Sequence, residues 1–381
     1  MEKMKDVIKN ILKFILPIRN IIIMESNPDF TDNSKLVFDK LIENKVNDKY
    51  KIVWFVNNSK NFKSINIKNV KFIDAFQNKN IFKLLIKIYY QYSAKIIIDS
   101  NKYVPKVRNK QIRIYLSHGE PIKNADSYCK EIGELDYILE TSDFFTQKDI
   151  QQFLKKQDNF VQLGFPRNDE LFLNLNIKNL FPECEDKKII VWLPTYRKHA
   201  LNDEYKESSL KYGLPCIENE EDFIKINDEL KRNNIIMLIK LHPAQDKSVI
   251  EECEVSNIKI LTDEQLFSNN FNLYKLLAIS DALITDYSSV YYDYLLTKKQ
   301  IGLAISDIKE YEEKVGFAYS YYDTVKGEYM YNTDDMCKFI NKLAVNQDDT
   351  KEERLRCLNI YHKYKDNKSS ERVYEFIKKY L

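Results

Sequence analysis

His118 is the side chain of this sequence best placed to move a proton. It follows an apolar run that predicts a strand, and the next residue, Gly119, permits a backbone turn that other residues resist. An imidazole titrates near physiological pH, which suits a general base. The sequence therefore favours His118 as a general base over the alternative of a turn histidine that takes no part in chemistry.

Polar side chains also follow four other apolar runs that predict strands. Ligands of open parallel sheets bind beyond the carboxyl ends of the strands, so we expect these side chains to line a binding site. Arginine, lysine, histidine and hydroxyl groups are the groups that hold phosphate. The residues concerned are Arg167, Thr195, Arg197, Lys240, His242, Ser288 and Ser289.

Several of these positions allow more than one interpretation. His242 ends a predicted strand, which favours a contact with a phosphate or a leaving group; the alternative is a histidine that satisfies a backbone carbonyl. Arg197 and Arg167 each suit a bidentate contact with an anion or a salt bridge between domains. Lys123 is expected to be solvated.

Ser288 and Ser289 precede a predicted helix that begins near Val290. Serine is a common N-cap, which is the purely structural interpretation. A strand followed by a turn and a helix also directs backbone N–H groups and the positive end of the helix dipole at a ligand. With two hydroxyls added, the pattern favours a phosphate site.

The composition excludes several classes of protein. Only 7 of the 381 residues are glycine, and no G-x-G-x-x-G or P-loop pattern occurs, so glycine-rich nucleotide loops are excluded. The formal net charge of +2 lacks the basic excess of a nucleic-acid binder. The six cysteines form no C-x-x-C pair and the four histidines no H-x-x-x-H pair. We therefore expect free thiols, no metal site and no cofactor.

The apolar pattern predicts the elements that position these side chains. Short β-branched runs alternate with longer helical stretches, which is typical of parallel sheets covered by helices on both faces. The predicted strands form two series, Ile21–Met24, Ile52–Val56, Val70–Ile73, Lys95–Ile98, Ile112–Leu116, Tyr137–Leu139 and Val161–Leu163, and then Lys188–Leu193, Ile235–Leu241, Ile258–Leu261, Ala282–Thr285 and Gln300–Ala304. The fold class is therefore α/β, with two doubly wound domains that face each other across a cleft.

The length of 381 residues also favours two domains. The polar stretch 174–187 is typical of a connection, so we expect a first domain over 19–180 and a second over 181–355. Residues 356–381 are expected to form a C-terminal helical segment. Its last helix, over about Glu371–Leu381, has apolar positions that suit either domain.

Residues 1–18 predict an amphipathic helix. Apolar side chains recur at helical spacing from Met4 to Ile15, and three lysines share another face. The segment is too short and too interrupted to span a bilayer, and no signal-peptide cleavage pattern follows it. Two interpretations remain open, a helix that lies on an anionic membrane surface and a helix packed on the first domain.

Short segments along most of the chain combine into a recognisable pattern. They are Met24-Glu25-Ser26 with Asp32-Asn33, Ser117 to Lys123, Gly164 to Asp169, Leu193 to Arg197, Lys240 to Pro243, Leu283 to Tyr294, Asp307 to Tyr311, Gly316-Phe317 and Ser369-Ser370. In this order they resemble the CDP-glycerol glycerophosphotransferase family of teichoic-acid and capsule polymer synthesis. The resemblance extends from about Ile21 to the end of the chain.

The resemblance implies a GT-B fold of two Rossmann-like domains, with the nucleotide donor bound mainly by the second. It implies that an acceptor hydroxyl attacks the β-phosphorus of a CDP-linked polyol and that CMP is released. It makes His118 the base and places the neighbouring Gly119 among the substrate-binding residues. On the donor side the resemblance implies catalytic His242, diphosphate contacts at Arg197, Ser288 and Ser289, and weaker contacts at Thr195, Thr285, Asp286 and Lys240.

The resemblance also implies partners and a location. The partners are a CDP-polyol, most simply CDP-glycerol, and a lipid-linked or polymeric acceptor. The location is the cytoplasmic face of the cell membrane, as a peripheral protein. The alternatives are CDP-ribitol as donor, a GT-B glycosyltransferase that uses a nucleotide sugar, and a catalytically silent protein that binds a membrane polymer.

One motif departs from the family pattern. The family usually has Trp-His-Gly-Thr-Pro, where this chain has Ser117 before the histidine and Glu120 two residues after it. We expect a carboxylate at Glu120 either to raise the basicity of the histidine or to alter the acceptor site. The resemblance leaves open the polyol, the acceptor, the choice between primase and polymerase, and the oligomeric state.

Overall fold

The protein consists of two compact units, seen in a computed structural model that describes residues 12–76, 80–101, 104–124, 133–176, 181, 184, 186–195, 197, 210, 212–241 and 255–381. The first unit takes in the described parts of Met1–Glu120, Asp126–Asp169 and His362–Leu381. The second takes in those of Pro121–Ala125 and Glu170–Tyr361. The chain therefore enters the second unit twice and returns to the first for its last helix.

A parallel sheet of seven strands forms the first unit. Its strands are β1 Ile21–Glu25, β2 Lys51–Val56, β3 Val70–Asp74, β4 Ile96–Asp99, β5 Ile112–Tyr115, β6 Tyr137–Glu140 and β7 Phe160–Gln162. Their order across the sheet is β3-β2-β1-β4-β5-β6-β7. Ile22 and Met24 enter one buried core and Ile21 and Ile23 enter another. Because both faces of β1 are buried, its residues Ile21 to Met24 are apolar without alternation.

The helices of the first unit, numbered along the whole chain, are α1 Asp32–Glu43, α2 Ile81–Ser93, α3 Asp143–Phe153 and α12 Ser369–Lys378. Short 3-10 segments of the chain cover Val46–Asp48, Ser59–Phe62, Gln157–Asn159, Pro166–Phe172 and Leu295–Thr297. The C-terminal helix α12 adds Val373 and Ile377 to the core of the first unit. Asp169 accepts hydrogen bonds from the backbone N–H groups of Ser369 and Ser370, each 2.8 Å long. The sequence allowed this helix on either domain, and these contacts place it on the first.

A parallel sheet of six strands forms the second unit, in the order β10-β9-β8-β11-β12-β13. The strands are β8 Lys188–Trp192, β9 Ile235–Lys240, β10 Ile258–Leu261, β11 Ala282–Thr285, β12 Gln300–Ala304 and β13 Glu328–Met330. The helices are α4 Glu220–Arg232, α5 Asp263–Ser268, α6 Leu273–Ile279, α7 Val290–Tyr294, α8 Ile308–Lys314, α9 Tyr321–Thr324, α10 Thr333–Ala344 and α11 Lys351–Tyr361. The order reverses between β8 and β11, which is where α/β sheets bind ligands.

The twelve predicted strands are confirmed, each with ends within one residue of those observed. The α/β class with two doubly wound domains is confirmed as well. The sequence missed β13, which has only three residues, two of them half-buried. So short and polar a strand has no apolar pattern of its own, and it depends on pairing with β12.

After residue 126 the chain passes from one unit to the other at two points, between Asp169 and Glu170 and between Tyr361 and His362. The predicted connection at 174–187 includes residues 177–180, 182–183 and 185, which lie outside the described residues. The predicted C-terminal segment 356–381 is shared by the two units. Its first residues belong to the second unit, where the Tyr361 hydroxyl donates to the Thr324 carbonyl over 2.9 Å.

Most of the predicted N-terminal helix, residues 1–11, lies outside the described residues. Residues 12–15 are helical, and Arg108 donates hydrogen bonds to the carbonyls of Lys13 and Leu16. Phe14 and Ile15 are exposed. Across the residues that the structure describes, no helix is both long enough and apolar enough to cross a membrane.

Candidate active site

The loop after β5 presents the His118 side chain to solvent. Ser117 has φ +58° and Gly119 has φ +140°, so the chain turns sharply on both sides of the histidine. The hydroxyl of buried Tyr115 lies 3.1 Å from His118 Nδ1. This hydrogen bond orients an exposed imidazole, which is what a general base requires.

Asn33, in the first turn of α1, holds the two backbone residues that precede His118. Its amide nitrogen donates to the carbonyls of Leu116 at 3.1 Å and Ser117 at 3.0 Å. Its carbonyl oxygen accepts the backbone N–H of Arg167 at 3.1 Å. Asn33 is fully buried, so each of these bonds is shielded from water.

Arg167 holds the histidine itself. Its guanidinium donates to the His118 carbonyl over 2.8 Å and pairs with the Asp32 carboxylate at 3.1 and 3.2 Å. The sequence left Arg167 open between an anion contact and a salt bridge between domains. The structure gives it a salt bridge within the first unit, which positions the loop of the candidate base.

Glu120, the departure from the family motif, has a buried carboxylate. Its Oε1 accepts the backbone N–H of Thr141 at 2.8 Å and the Thr141 hydroxyl at 2.6 Å. These two bonds fasten the loop after His118 to the end of β6. Burial raises the pKa of nearby Glu140, and the negative charges of Glu120 and Asp149 raise it further. An effect of the Glu120 carboxylate on the histidine or on the acceptor stays a prediction.

In the second unit, Arg197 lies at the centre of a buried ion-pair network. Its Nε and Nη2 donate to the two oxygens of Asp307 at 2.7 and 3.1 Å. Its Nη1 lies 2.8 Å from Asp286 Oδ2 and donates to the Thr195 carbonyl, also over 2.8 Å. Burial works against the charge, but the two carboxylates raise the pKa of Arg197 above its usual value. We call this group, Arg197 with Asp286 and Asp307, the arginine network.

Three neighbouring strand ends supply the arginine network. Thr195 and Arg197 follow β8, Asp286 follows β11 and Asp307 follows β12. The Thr195 backbone N–H and hydroxyl both donate to Asp286, at 3.0 and 2.6 Å. The sequence placed Thr195, Arg197 and Asp286 after predicted strands, and the structure brings these three residues together. Sequence reasoning assigned no role to Asp307, although this carboxylate stands after a strand just as Asp286 does.

Aromatic rings enclose the arginine network. The Arg197 guanidinium lies over the Tyr287 ring, 4.9 Å from its centroid, and Tyr287 stacks on Tyr311 with 4.0 Å between centroids. The Tyr287 hydroxyl donates to Asp307 over 2.8 Å. Through the contacts to Asp307, Asp286 and Thr195, every side-chain nitrogen of Arg197 lies within hydrogen-bonding distance of a protein oxygen. Arg197 is only 2% exposed. A direct contact from Arg197 to a diphosphate stays a prediction.

Two other predicted contacts bind their own neighbours. The Thr285 hydroxyl donates to the Leu193 carbonyl over 3.0 Å and links the ends of β11 and β8. Lys240, at the end of β9, forms an ion pair with Asp263, with 2.9 Å between Nζ and Oδ1. Both residues stand at the predicted edge of the sheet, and Lys240 pairs outside the arginine network. His242, which follows β9, lies outside the described residues.

Ser288 and Ser289 lie half-buried after β11, at the start of α7. The Ser289 side chain forms no capping hydrogen bond, and the Ser288 hydroxyl lies 3.5 Å from the Val290 nitrogen, at the limit of a hydrogen bond. The helix is only five residues long. The purely structural role as N-cap is therefore weak here, and the two hydroxyls remain available to a ligand.

Lys123 is a residue whose position sequence reasoning missed. It was expected to be solvated, but it is half-buried and belongs to the second unit. Burial lowers the pKa of its ammonium to about 8, the charge of Asp286 opposes this effect, and that of Arg197 adds to it. The signal in the sequence was its place in the same short motif as His118. For metals, the described part of the chain contains no cluster of three or more ligating side chains.

Two Rossmann-like units, each with a parallel sheet whose strand order reverses at its centre, define the GT-B class of α/β proteins. A solved structure of the wall teichoic acid polymerase TagF has this fold. It matches the present structure with a TM-score of 0.73 at 20% sequence identity, over 96% of this chain and 90% of that one.

The sequence matches the model of the CDP-Glycerol:Poly(glycerophosphate) glycerophosphotransferase family over residues 9–379. The chain belongs to this family of enzymes. A teichoic acid poly(glycerol phosphate) polymerase of Bacillus spizizenii strain W23 is 26% identical over 353 residues, 84% of this chain and 83% of that protein. A teichoic acid ribitol-phosphate primase of the same strain is 25% identical over 78% of each chain.

Replacing Arg197 by methionine should destabilise the second unit. The change leaves Asp286 and Asp307 buried without their cation, which typically costs about 3–5 kcal/mol of unfolding free energy. The chain has two tryptophans, Trp54 in the first unit and Trp192 in the second. Urea unfolding in a Trp54→Phe background, followed by fluorescence, measures the second unit alone.

The matched control for this variant is Arg232→Met. Arg232 is also in the second unit, but its side chain is 69% exposed and pairs with Glu229 at 2.7 Å. Removing such a surface pair should cost less than about 1 kcal/mol. If Arg197→Met cost no more than the control, the arginine network would not be what holds this edge of the sheet together.

Proposed function

We propose that this protein transfers glycerol phosphate from CDP-glycerol to a hydroxyl of a lipid-linked or polymeric acceptor and releases CMP, in the synthesis of a teichoic acid or a related surface polymer. Family membership supplies the reaction class. The observation that carries the assignment of the base is the locked loop of His118, in which Asn33 and Arg167 hold the backbone and Tyr115 orients the ring.

The proposed reaction is an attack by the acceptor oxygen on the β-phosphorus of the donor. His118 takes the proton of the acceptor hydroxyl as the new P–O bond forms. The bond from the β-phosphorus to the bridging oxygen breaks, and its electron pair leaves with CMP. Transfers of this kind depend mainly on positioning and on compensation of phosphate charge. A base fixed in one orientation and phosphate contacts on a rigid sheet edge meet those two needs.

The donor-binding residues are proposed in the second unit. Ser288 and Ser289 offer hydroxyls that capping does not consume, and His242 is proposed as a further contact because it follows β9. Thr195, Thr285 and Asp286 are buried and bonded to the protein, so we propose that they position the strand ends around the donor. The ribitol-phosphate primase among the relatives keeps CDP-ribitol as the alternative donor.

Replacing His118 by asparagine should lower turnover by about 10²- to 10⁴-fold, the usual contribution of a general base. Donor affinity should stay within twofold, because the proposal assigns donor binding to other residues. CMP release with CDP-glycerol and an acceptor measures the first quantity, and the thermal shift produced by CDP-glycerol alone measures the second. Turnover close to that of the wild type would remove His118 as the base.

Tyr115→Phe is the matched companion of that variant. It removes the hydroxyl that orients the imidazole and leaves the imidazole in place. We expect a smaller loss of turnover, about tenfold, since misorientation of a reacting group is costly even without its removal. The same assay run with CDP-ribitol and a UDP-sugar in place of CDP-glycerol identifies the donor, and mass spectrometry of the product confirms the transferred group.

The proposal extends to a location on the cytoplasmic face of the membrane, as a peripheral protein. Two stretches of the first unit expose clusters of large apolar side chains, which are unusual on a surface that contacts only water. Phe14 is 92% exposed beside Ile15, and α2 exposes Phe82 at 72% together with Ile81 and Leu85. Lysines stand within the same helices, at positions that suit anionic headgroups.

Deleting residues 1–18, or changing Phe82 and Leu85 together to serine, should reduce flotation with anionic liposomes. Each change removes apolar area that would be buried in the headgroup region. The control is the double change Ile224→Ser and Phe267→Ser in the second unit, where both side chains are also about half exposed. Flotation that both test variants retain in full would contradict the membrane proposal.

A further inference from the structure

We propose that the ammonium of Lys123 binds the diphosphate of the nucleotide donor, as a cation of the second unit that stays available beside the arginine network. This inference rests on the proposed function, because it names a donor contact in the same reaction. The evidence is the backbone pairing that places Lys123, the way the charges around it are already compensated, and the finding that no described residue pairs with its ammonium.

The backbone fixes Lys123 on the second unit. An isolated antiparallel bridge pairs Lys123 with Phe317. On either side, the Ala318 N–H donates to the Ile122 carbonyl over 2.8 Å and the Asn124 N–H donates to the Gly316 carbonyl over 3.2 Å. The segment therefore leaves the first unit directly after the His118 loop and is bonded to the second unit within three residues.

The bridge brings Lys123 to the arginine network. Phe317 packs on Tyr287 with 5.5 Å between ring centroids and on Tyr311 with 5.7 Å, and these two rings flank the Arg197 guanidinium. The charges of Asp286 and Arg197 both act on Lys123, in opposite directions. Lys123 thus stands at the carboxyl edge of the second sheet, near enough to Asp286 for the two charges to interact. Asp286 is followed directly by Tyr287, Ser288 and Ser289.

The arginine network does not need Lys123. Asp286 accepts hydrogen bonds from Thr195 and from the Tyr287 backbone and forms an ion pair with Arg197, and Asp307 accepts from Arg197 and the Tyr287 hydroxyl. Both oxygens of each carboxylate are thereby occupied. Arg197 in turn donates from all of its nitrogens to this network, so its charge is compensated inside the protein.

The ammonium of Lys123, in contrast, is not compensated by a described carboxylate. Among the residues that the structure describes, no carboxylate lies within ion-pair distance of its ammonium. No described residue accepts a hydrogen bond from this half-buried ammonium, and an incoming diphosphate would supply both acceptors and the opposite charge. The ammonium of Lys123 is therefore available to a donor, whereas described carboxylates already compensate the charge of Arg197.

The test compares Lys123→Met and Lys123→Arg with the wild-type full chain by calorimetric titration of CDP-glycerol and, separately, of inorganic pyrophosphate. We expect Lys123→Met to weaken both by about 10- to 100-fold, the usual worth of a charged hydrogen bond. Lys123→Arg should recover most of the affinity. Cytidine, which carries no phosphate, should bind the wild type and both variants alike.

The matched control is Lys299→Met. Lys299 is likewise a half-buried lysine of the second unit whose pKa burial lowers, but it stands before β12, at the opposite edge of the sheet. Its ammonium donates to the Ala278 carbonyl over 2.8 Å and to the Ser280 carbonyl. We expect this variant to lose thermal stability and to keep its affinity for CDP-glycerol. Lys123→Met should melt no lower than the wild type, because it removes a half-buried charge without a carboxylate partner.

The pH dependence separates a binding role from a packing role. Burial lowers the pKa of the Lys123 ammonium to about 8, so in the free protein its charge is lost progressively as pH rises through that value, and the wild-type affinity for pyrophosphate should fall between pH 7 and 9.5. Asp286 and Arg197 are the charged groups that act on Lys123; Arg197 keeps its charge throughout, and burial keeps Tyr287 neutral. In Lys123→Arg this fall should disappear.

Four outcomes decide between the two proposals. If the wild type binds CDP-glycerol and Lys123→Met binds it within twofold, the inference about Lys123 is overturned and the proposed function stands. If the wild type binds pyrophosphate through Lys123 but not CDP-glycerol, the proposed donor is wrong and the inference stands. Binding of neither ligand overturns both. Loss of affinity in Lys123→Met with rescue by arginine supports both.

Discussion

The buried ion pairs of Arg197 with Asp286 and Asp307 are the interaction on which the second unit depends. A guanidinium that is almost completely buried is stable only if carboxylates compensate it, and each carboxylate here follows a different strand. The pairs therefore fix the ends of β8, β11 and β12 relative to one another. Ser288, Ser289 and Lys123 take their positions from that fixed edge.

In the first unit, hydrogen bonds to backbone carbonyls fix the loop at the carboxyl edge of the sheet. The His118 loop is held through its carbonyl oxygens, by the amide of Asn33 and the guanidinium of Arg167, while the imidazole stays outside. In both units, polar side chains from distant parts of the chain bond to the backbone or to each other at the carboxyl edge of the sheet. The proposed chemistry is assigned to side chains at these edges that are exposed, as His118 is, or that no described carboxylate pairs with, as is the case for Lys123.

This arrangement separates cations that hold the protein from cations that meet the substrate. The Arg197 guanidinium is satisfied by two carboxylates and a carbonyl, and Arg167 pairs with the Asp32 carboxylate and donates to the His118 carbonyl, so both charges serve the structure. Lys123 is not saturated by any described residue, which is why it is the proposed donor cation. Residue type alone would have ranked the three in the reverse order, because arginine is the better anion ligand in isolation.

The sequence by itself determined the two parallel sheets, since twelve apolar runs predicted strands to within one residue, and it placed His118, Thr195, Arg197 and Asp286 at strand ends. Hydropathy is a local property, so a local pattern was enough for these features. Only the tertiary structure decided the pairing of Arg197 with Asp307, 110 residues away, the burial of Lys123 and the return of α12 to the first unit. These depend on which distant segments meet, and β13 shows the same limit, because a three-residue strand exists only through its neighbour.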